Sequence, residues 1–467
     1  MNGSEAVDSL AGVLPAGAIS TDESDLRAHA RDWSPFSLLH ERTGGPLVLP
    51  KCVVRPTDAN EVSAVLRWAN TTATPVVPFG GGSGVCRAIA PDPATVVIDL
   101  GRLDVIEPVD EVARLVKVQA GVTGPALTER LAADGWFLGH EPQSLAISTV
   151  GGWIATKACG QLSAGFGGIE DLVAGLEAVL PTGDVVRSKV TPRRVAGPDV
   201  AALMIGSEGT LGIVTEVTLR VTRPPEGRAN RCIRFDHMAD GVAACRRIAQ
   251  SSLHPDVARL YDREDASIFL MSYPDETQGP LLLLSFSGEG AEQRADDAVR
   301  LAEGKPGNEA LVDHWWGHRN DAVEAFRRLM AGEGLLGPHG VVDTFEVAGT
   351  WSGLRGLYHG LKTELGAVAD LVGCHLSHVY PDGACLYFTM ASATDDDDAA
   401  RVTLDRWWQV GLQECIEKGG AISHHHGIGR VKASHLEDEL GGWWPVLKAV
   451  KSAIDPKGIM NPGALGL

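Results

Sequence analysis

The chain has 467 residues, 44% hydrophobic and 22% charged, which suits two or three domains with cores of ordinary globular composition. It carries 41 basic and 60 acidic residues, and the net charge of −19 opposes non-specific nucleic-acid binding. No apolar run reaches the ~18 residues that a transmembrane helix needs. Residues 1–18 lack the basic-then-apolar pattern of a signal peptide. The 8 cysteines form no Cys-x-x-Cys pair, so free thiols in a reducing cytoplasm are expected.

Residues 1–45 read as a mobile start followed by a short helical or looped segment, with Trp33 as its first aromatic anchor and no visible chemistry. From Val53 the pattern sharpens. Val53-Val54 reads as a strand, and Asp58 with Glu61 forms a capping box before a helix whose apolar face is Val62, Val65, Leu66 and Ala69. Strands are expected at Thr95–Leu100 and Arg114–Gln119, a helix at Thr123–Ala133, and a hairpin around Pro181-Thr-Gly183. Ile213–Val221 alternates as a half-buried strand and ends at Pro224-Pro225, the expected domain boundary.

Residues 226–415 alternate strand-like stretches (231–235, 258–261, 281–286, 341–347, 371–380, 385–390) with helical ones (241–251, 292–303, 321–330, 353–365, 398–418). This predicts an α+β layer, an antiparallel sheet covered by helices. The acidic run Asp395–Asp398 reads as a helix N-terminus, and the Trp pairs 315/316, 407/408 and 443/444 as packing. The expected division is an N-terminal segment 1–45, a domain 46–225, a second domain 226–415 and a returning segment 416–467.

Three glycine-rich stretches lie in the first domain. The first is Pro78, Phe79, Gly80, Gly81, Gly82, Ser83, Gly84 and Val85. Its glycines remove the Cβ atoms that would obstruct a ligand, and successive N–H groups of such a turn can form a nest for a diphosphate. The spacing is neither a Walker A loop nor a Rossmann fingerprint, and a flexible turn is the alternative. The second runs from Ser144 through Ser148, Thr149, Gly151 and Gly152 to Cys159, Gly160, Gly167 and Ile169. The third holds Glu208, Gly209, Gly212, Ile213 and Val214. Together they predict a backbone wrapped around a large cofactor. Near the C-terminus, His424, His425 and His426 sit in Ser423–Arg430, a catalytic or substrate-facing site, with a structural loop or metal cluster as the alternatives.

These stretches resemble the vanillyl-alcohol oxidase (PCMH-type) superfamily of FAD enzymes, and more narrowly the alkyldihydroxyacetonephosphate synthases. The narrower likeness rests on Gly139–Ser144, Ala258–Asp262, Asp343–Glu346, Gly383–Phe388 and Ser423–Gly427. The resemblance implies a two-subdomain PCMH-type FAD-binding domain with an antiparallel-sheet α+β cap. It implies a pyrophosphate held by the N–H groups of Gly80–Ser83, with the second and third stretches lining the rest of the FAD. It also implies an ether-lipid reaction that exchanges an acyl for an alkoxy group through a flavin N5 adduct. Tyr387 matches the acid/base residue, His424, His425 and His426 the histidine cluster, and Arg259 a cation near the flavin. A cap salt bridge for Arg259 and a buried strand aromatic for Tyr387 are the structural alternatives.

A lysine often stands in the family where Arg430 does here, and His375 and His378 flank the cap strand. The rival assignment is an FAD-linked dehydrogenase or oxidase of a 2-hydroxy acid or alcohol. Those relatives carry a paired-histidine metal motif, of which His378 keeps one member while Tyr387 stands where the second is expected. No metal is therefore expected, the further reason being that three adjacent histidines do not converge on one ion. No histidine lies between Val76 and Pro91, so the FAD is expected to be non-covalent. The substrate is expected to be small or lipid-like. A peripheral membrane contact and a homodimer are left open.

Overall fold

The computed structural model describes every residue except 1–6, 8, 46, 271, 272 and 274. Three sheets carry the architecture. The first has strand order β1-β2-β4-β3, with β1 at Ile19–Ser20, β2 at Cys52–Val54, β3 at Val76–Phe79 and β4 at Val96–Asp99. Strands β2, β3 and β4 run parallel, and the helix Ala59–Thr72 makes the crossover. Asp58 caps that helix by accepting from the N–H groups of Asn60 and Glu61, and Glu61 reaches back to the Thr57 N–H at 2.7 Å. Asp58 caps the helix as expected, but Glu61 satisfies the Thr57 N–H rather than the cap's own, so the expected box is only half formed; Val62, Val65, Leu66 and Ala69 are all buried.

The second sheet is antiparallel, β5-β8-β6-β7, from Leu115–Gln119 (β5), Val173–Val179 (β6), Val185–Arg187 (β7) and Ile213–Arg220 (β8). These two sheets make the two-subdomain unit that the resemblance implies. The C-terminal segment returns to it: Val76 N–H donates to the Ile459 carbonyl and Asn461 N–H to the Val76 carbonyl, so residues 459–461 line the free edge of β3.

The third sheet is antiparallel throughout, in the order β12-β9-β11-β10-β14-β15-β13. Its strands are β9 (Arg228–Arg234), β10 (Val257–Tyr261), β11 (Leu281–Ser287), β12 (Lys305–Pro306), β13 (Val341–Thr350), β14 (Leu371–Ser377) and β15 (Gly383–Ser392). Side chains alternate across a strand. One face therefore presents Leu260, Leu376, Leu386, Phe388, Phe345 and Val347 to the helices 238–249, 291–302, 354–366 and 397–417, and this forms the largest core. The acidic run does start the last of these helices, with Asp396 accepting from Ala399 N–H. Trp407 and Trp408 are buried in its core, whereas Trp443 is exposed.

The N-terminal segment holds the short helical stretch expected of it. Helices occupy Glu23–Ala28 and Pro35–Arg42, and Leu38 and Leu39 are buried in the cap core. Arg42 donates to the Met330 and Gly340 carbonyls. Residues 23–42 are thus a strap between the two domains, and the expected mobile start falls in part on residues 1–6 and 8, outside the described residues.

Candidate active site

The other face of the cap sheet carries chemistry. Strand register sets Glu346 opposite Tyr387, Tyr387 opposite His375, and His375 opposite Tyr261, one rung across β13, β15, β14 and β10. Arg259 lies two residues from Tyr261 and thus on the same face. Tyr387 stacks on His375 with ring centroids 4.7 Å apart, and lies 5.9 Å from His425 and 5.4 Å from His426. Four of the five sequence-predicted catalytic side chains are thus linked: His425 and His426 meet Tyr387, and Tyr387 and Arg259 meet a residue not assigned a role, His375.

His375 is buried and its protonation is fixed by its partners. Arg259 Nη2 donates to Nε2 at 2.7 Å, so that nitrogen bears no proton, and Nδ1–H donates to Asp265 Oδ2 at 2.7 Å. Burial and the Arg259 charge both hold the ring well below its ordinary 6.5. Arg259 is thereby aimed by a neutral imidazole that a buried carboxylate orients in turn.

The fifth residue, His424, belongs to a neighbouring chain of contacts. Its Nδ1 is 3.0 Å from His425 Nδ1, and its Nε2 is 3.0 Å from the Tyr380 hydroxyl. The Tyr380 hydroxyl is 3.6 Å from Cys159 Sγ, which is 3.6 Å from His378 Nδ1; Ser163 Oγ is 2.7 Å from the same nitrogen. Two of the three adjacent histidines, His424 and His425, approach one another beside cysteine thiols, and His426 joins neither group. Donor atoms of Cys385, His424 and His425, and of Cys159, His378 and His424, each lie within 4.8 Å of one another. Cys385 Sγ, rather than the Tyr387 hydroxyl, is the group found close to His424 and His425 there.

Two buried carboxylates hold the histidine loop. Glu346 Oε1 accepts from Lys432 Nζ at 2.8 Å, Ser423 Oγ at 2.9 Å and His426 N–H at 3.0 Å, and Oε2 from His424 N–H at 2.5 Å. Burial alone raises the Glu346 carboxyl, but the Lys432 ammonium, His426 and these donors outweigh it and hold it at about 2. Glu208 accepts from the Ile428 and Gly429 N–H groups at 2.6 and 2.8 Å, and burial without a paired cation pushes it up to about 6. Its side chain is thus directed at the C-terminal loop. Burial lowers all three histidines, His426 to about 4, so they are neutral bases at pH 7. The positive charges beside the site are Arg259 and Lys432, not the imidazoles.

The glycine stretches converge as expected. A Cβ on Gly81 would lie 1.8 Å from the Ile147 carbonyl oxygen and one on Gly80 2.3 Å from Thr149 Oγ1, so the first stretch presses on the second. Gly209, at φ +73°, packs on Pro78 and brings in the third. Among the described residues, none of the N–H groups from Gly80 to Gly84 donates to a protein acceptor. Such a row of unpaired donors fits a diphosphate. Beside Gly81 and Gly82 opens a cavity of about 500 Å³, walled also by Phe79, Arg27, Arg31 and Trp33. The Trp33 N–H donates to the Gly84 carbonyl at 2.8 Å. The N-terminal segment, read as free of chemistry, therefore forms one side of the cradle.

Several sequence-predicted cofactor residues also make structural contacts within the protein. Ile169, Ile213 and Val214 are buried in hydrophobic cores, and Ser148 Oγ accepts from Trp153 Nε1. Thr149 caps the helix 150–156, with Ser144 in the turn before it. Gly151 packs on Ala120, Gly160 on Glu141, Gly167 on Asp171 and Gly212 on the Val179 carbonyl. At those positions the missing side chain serves close packing. Ser83 and Val85 remain in the loop, half-buried.

Comparison with known proteins identifies the family. Residues 50–189 match the FAD binding domain family, and residues 224–465 match the C-terminal domain of FAD linked oxidases. The chain is 31% identical to the Escherichia coli FAD-linked oxidoreductase YgcU, over 98% of this chain and 97% of that protein. It is 29% identical to the Caenorhabditis elegans alkyldihydroxyacetonephosphate synthase (93% and 78% covered) and 27% identical to the Bacillus subtilis glycolate oxidase subunit GlcD (89% and 89%). A solved alkyldihydroxyacetonephosphate synthase superposes with a TM-score of 0.80 at 25% identity, covering 98% of this chain and 84% of that one. The chain is a flavoprotein whose cofactor is FAD, and it belongs to the FAD-linked oxidases of the vanillyl-alcohol oxidase, PCMH-type superfamily.

Proposed function

We propose that this enzyme exchanges the acyl group of an acyl-dihydroxyacetone phosphate for the alkoxy group of a long-chain alcohol, releasing a fatty acid with no net oxidation. The observation that carries the reading is the setting of Tyr387, stacked on His375 and flanked by His425, His426 and the fixed Arg259 cation.

Bound FAD supplies an electrophilic ring that accepts and returns a carbanion. The chain's own residues supply the rest. Burial pushes the Tyr387 phenol well above its ordinary 10, partly offset by Arg259, so at rest it is a proton donor. His425 and His426, both neutral, are positioned to take a proton from the substrate carbon. Arg259 has buried Nε with no protein partner and can hold a phosphate or departing carboxylate there.

A second reading, oxidation of a 2-hydroxy acid, draws on the convergence of Cys385, His424 and His425, which offers a soft metal three donors. Product analysis separates the two. The holoenzyme is supplied with acyl-dihydroxyacetone phosphate and hexadecanol, and separately with D-lactate or glycolate and a dye. Ether formed without dye reduction supports exchange, and Tyr387→Phe should then lower turnover by roughly 10²–10⁴-fold while keeping its flavin. Dye reduction by a hydroxy acid, with no ether, assigns the enzyme to the dehydrogenases.

A further inference from the structure

We infer that His375 and Asp265 are positioning residues that hold Arg259 in place without neutralising it, so that its guanidinium is the receptor for the anionic end of the substrate. This role rests on the anion contact proposed above for Arg259, and it gives tasks to two residues that reading leaves without one.

Two buried cations of this chain show the usual arrangement, a direct ion pair. Lys432 Nζ meets Glu346 at 2.8 Å, and Lys451 Nζ meets Asp455 at 2.7 Å. Among the described residues Arg259 forms no such pair, and the nearby carboxylates of Asp262 and Asp265 go to Lys362 and His375 instead. Arg259 Nη2 donates to a neutral nitrogen, His375 Nε2, at 2.7 Å. Its guanidinium carbon lies 5.3 Å from the centre of the Tyr261 ring and 5.9 Å from that of Trp315. A ring face attracts a cation without cancelling its charge.

The carboxylate that steadies Arg259 stands one ring further away. His375 Nδ1–H donates to Asp265 Oδ2 at 2.7 Å, so an imidazole separates the guanidinium from the negative charge. A carboxylate in direct contact would fix Arg259 equally well, but at hydrogen-bond distance it would compete with any incoming anion. Two hydrogen bonds through the ring pass on the orientation while the charges stay apart. The fold holds each part still. Asp265 N–H is tied to Asp262 Oδ1 at 2.8 Å, in the first turn of the helix Arg263–Phe269. Gly373 on β14 leaves room for the carboxylate, since a Cβ there would lie 2.8 Å from Asp265 Oδ1. Tyr387 and Tyr261 flank the His375 ring, with centroids 4.7 and 5.4 Å away. The buried Arg259 Nε has no protein partner and is left for the substrate.

Burial pushes Asp265 up to about 7, against the pull of Arg259, and burial together with Arg259 holds His375 well below 6.5. At pH 8 the sequence of anion, neutral ring and cation is therefore set, and the test is made there.

Histidine labelled with ¹⁵N, assigned through His375→Gln, should show His375 of the resting holoenzyme as the neutral Nδ1–H tautomer. Inorganic phosphate and ¹³C-acetate are titrated separately into the same holoenzyme and followed by ³¹P and ¹³C line broadening. Binding of either anion supports the receptor, and the tighter of the two identifies the group it takes. Asp265→Ala and His375→Leu should each keep FAD and weaken that anion by roughly 10–100-fold, the loss expected for a misplaced charge-assisted hydrogen bond. The double variant should be no weaker than the worse single one, because both changes break one relay. His375→Gln can accept from Arg259 and donate to Asp265, so it should stay within about threefold of wild type. Wild-type holoenzyme that binds neither anion, a charged or Nε2–H His375, additive losses, or equal losses in His375→Gln and His375→Leu would each overturn the relay. Should the alanine or leucine variants fail to fold, the wild-type tautomer and His375→Gln decide alone. Anion binding and the Nδ1–H tautomer without ether synthesis refute the proposed exchange and leave the relay standing.

Discussion

The Glu346–Lys432 pair allows a quantitative test of how the histidine loop is held. Both side chains are fully buried, and Glu346 accepts four hydrogen bonds from Lys432, Ser423, His424 and His426. Glu346→Gln keeps the shape, removes the charge and leaves the Lys432 ammonium buried without its partner. Holding the carboxyl at about 2 rather than its ordinary 4.5 corresponds to about 3 kcal/mol. Breaking a buried ion pair costs a similar amount, about 3–5 kcal/mol. The expected loss is therefore about 3 kcal/mol, measured by urea unfolding of both holoenzymes at pH 7 and one fixed FAD concentration, because bound cofactor itself shifts stability. Removing both charges with Glu346→Gln and Lys432→Met should recover more than half of the loss, since desolvation of the cation no longer opposes folding. A Glu346→Gln loss under about 1 kcal/mol would refute the assignment of Glu346 as the buried anion that orders residues 423–426.

Three further outcomes follow from the same contacts. Gly81→Val sets a branched side chain against the Ile147 carbonyl and blocks the cradle, so the protein should be folded by circular dichroism yet colourless; full flavin occupancy would refute the cradle. Acid precipitation should release all the flavin into the supernatant, and yellow colour kept in the pellet would show a covalent bond. Glu208 behaves oppositely to Glu346. Its folded value of about 6 lies above the ordinary 4.5, so its contribution is fully present below about pH 4.5 and is lost as pH rises through 6. The stability difference between wild type and Glu208→Gln should thus fall by about 2 kcal/mol from pH 4 to pH 7.5, and a flat difference contradicts a setting in which burial outweighs the nearby Lys432 and Arg430.

Local signals carried much of the fold. Asp58 and Glu61, the alternation in Ile213–Val221 and the acidic start at Asp396 act within a few residues, and each formed the element its chemistry dictates. The cap's helices and strands were legible for the same reason. What was not legible depends on register and long-range contact. Nothing in the sequence around His375 says that it will stand opposite Tyr387, or that Asp265, 110 residues away, will fix its tautomer.

The histidine loop shows the same division. Its composition marked it as a site, but the charge state of His424, His425 and His426 follows from burial, which adjacent residues do not reveal. Cys159 looked like one more member of a glycine stretch until folding set it beside Tyr380 and His378. Likewise Trp33 reaches the glycine loop only through tertiary folding of the N-terminal strap.

The central claim is that carbon–oxygen exchange occurs without oxidation, and oxygen tracing tests it most directly. Acyl-dihydroxyacetone phosphate is incubated anaerobically with the holoenzyme and hexadecanol carrying ¹⁸O in its hydroxyl, with a redox dye present. The reaction proposed here breaks the bond between the substrate carbon and the acyl oxygen and forms one to the alcohol oxygen. The label should then appear in the ether product, the released fatty acid should carry none, and the dye should stay oxidised. Dye reduction by glycolate or D-lactate, with no labelled ether from the alcohol, would contradict it.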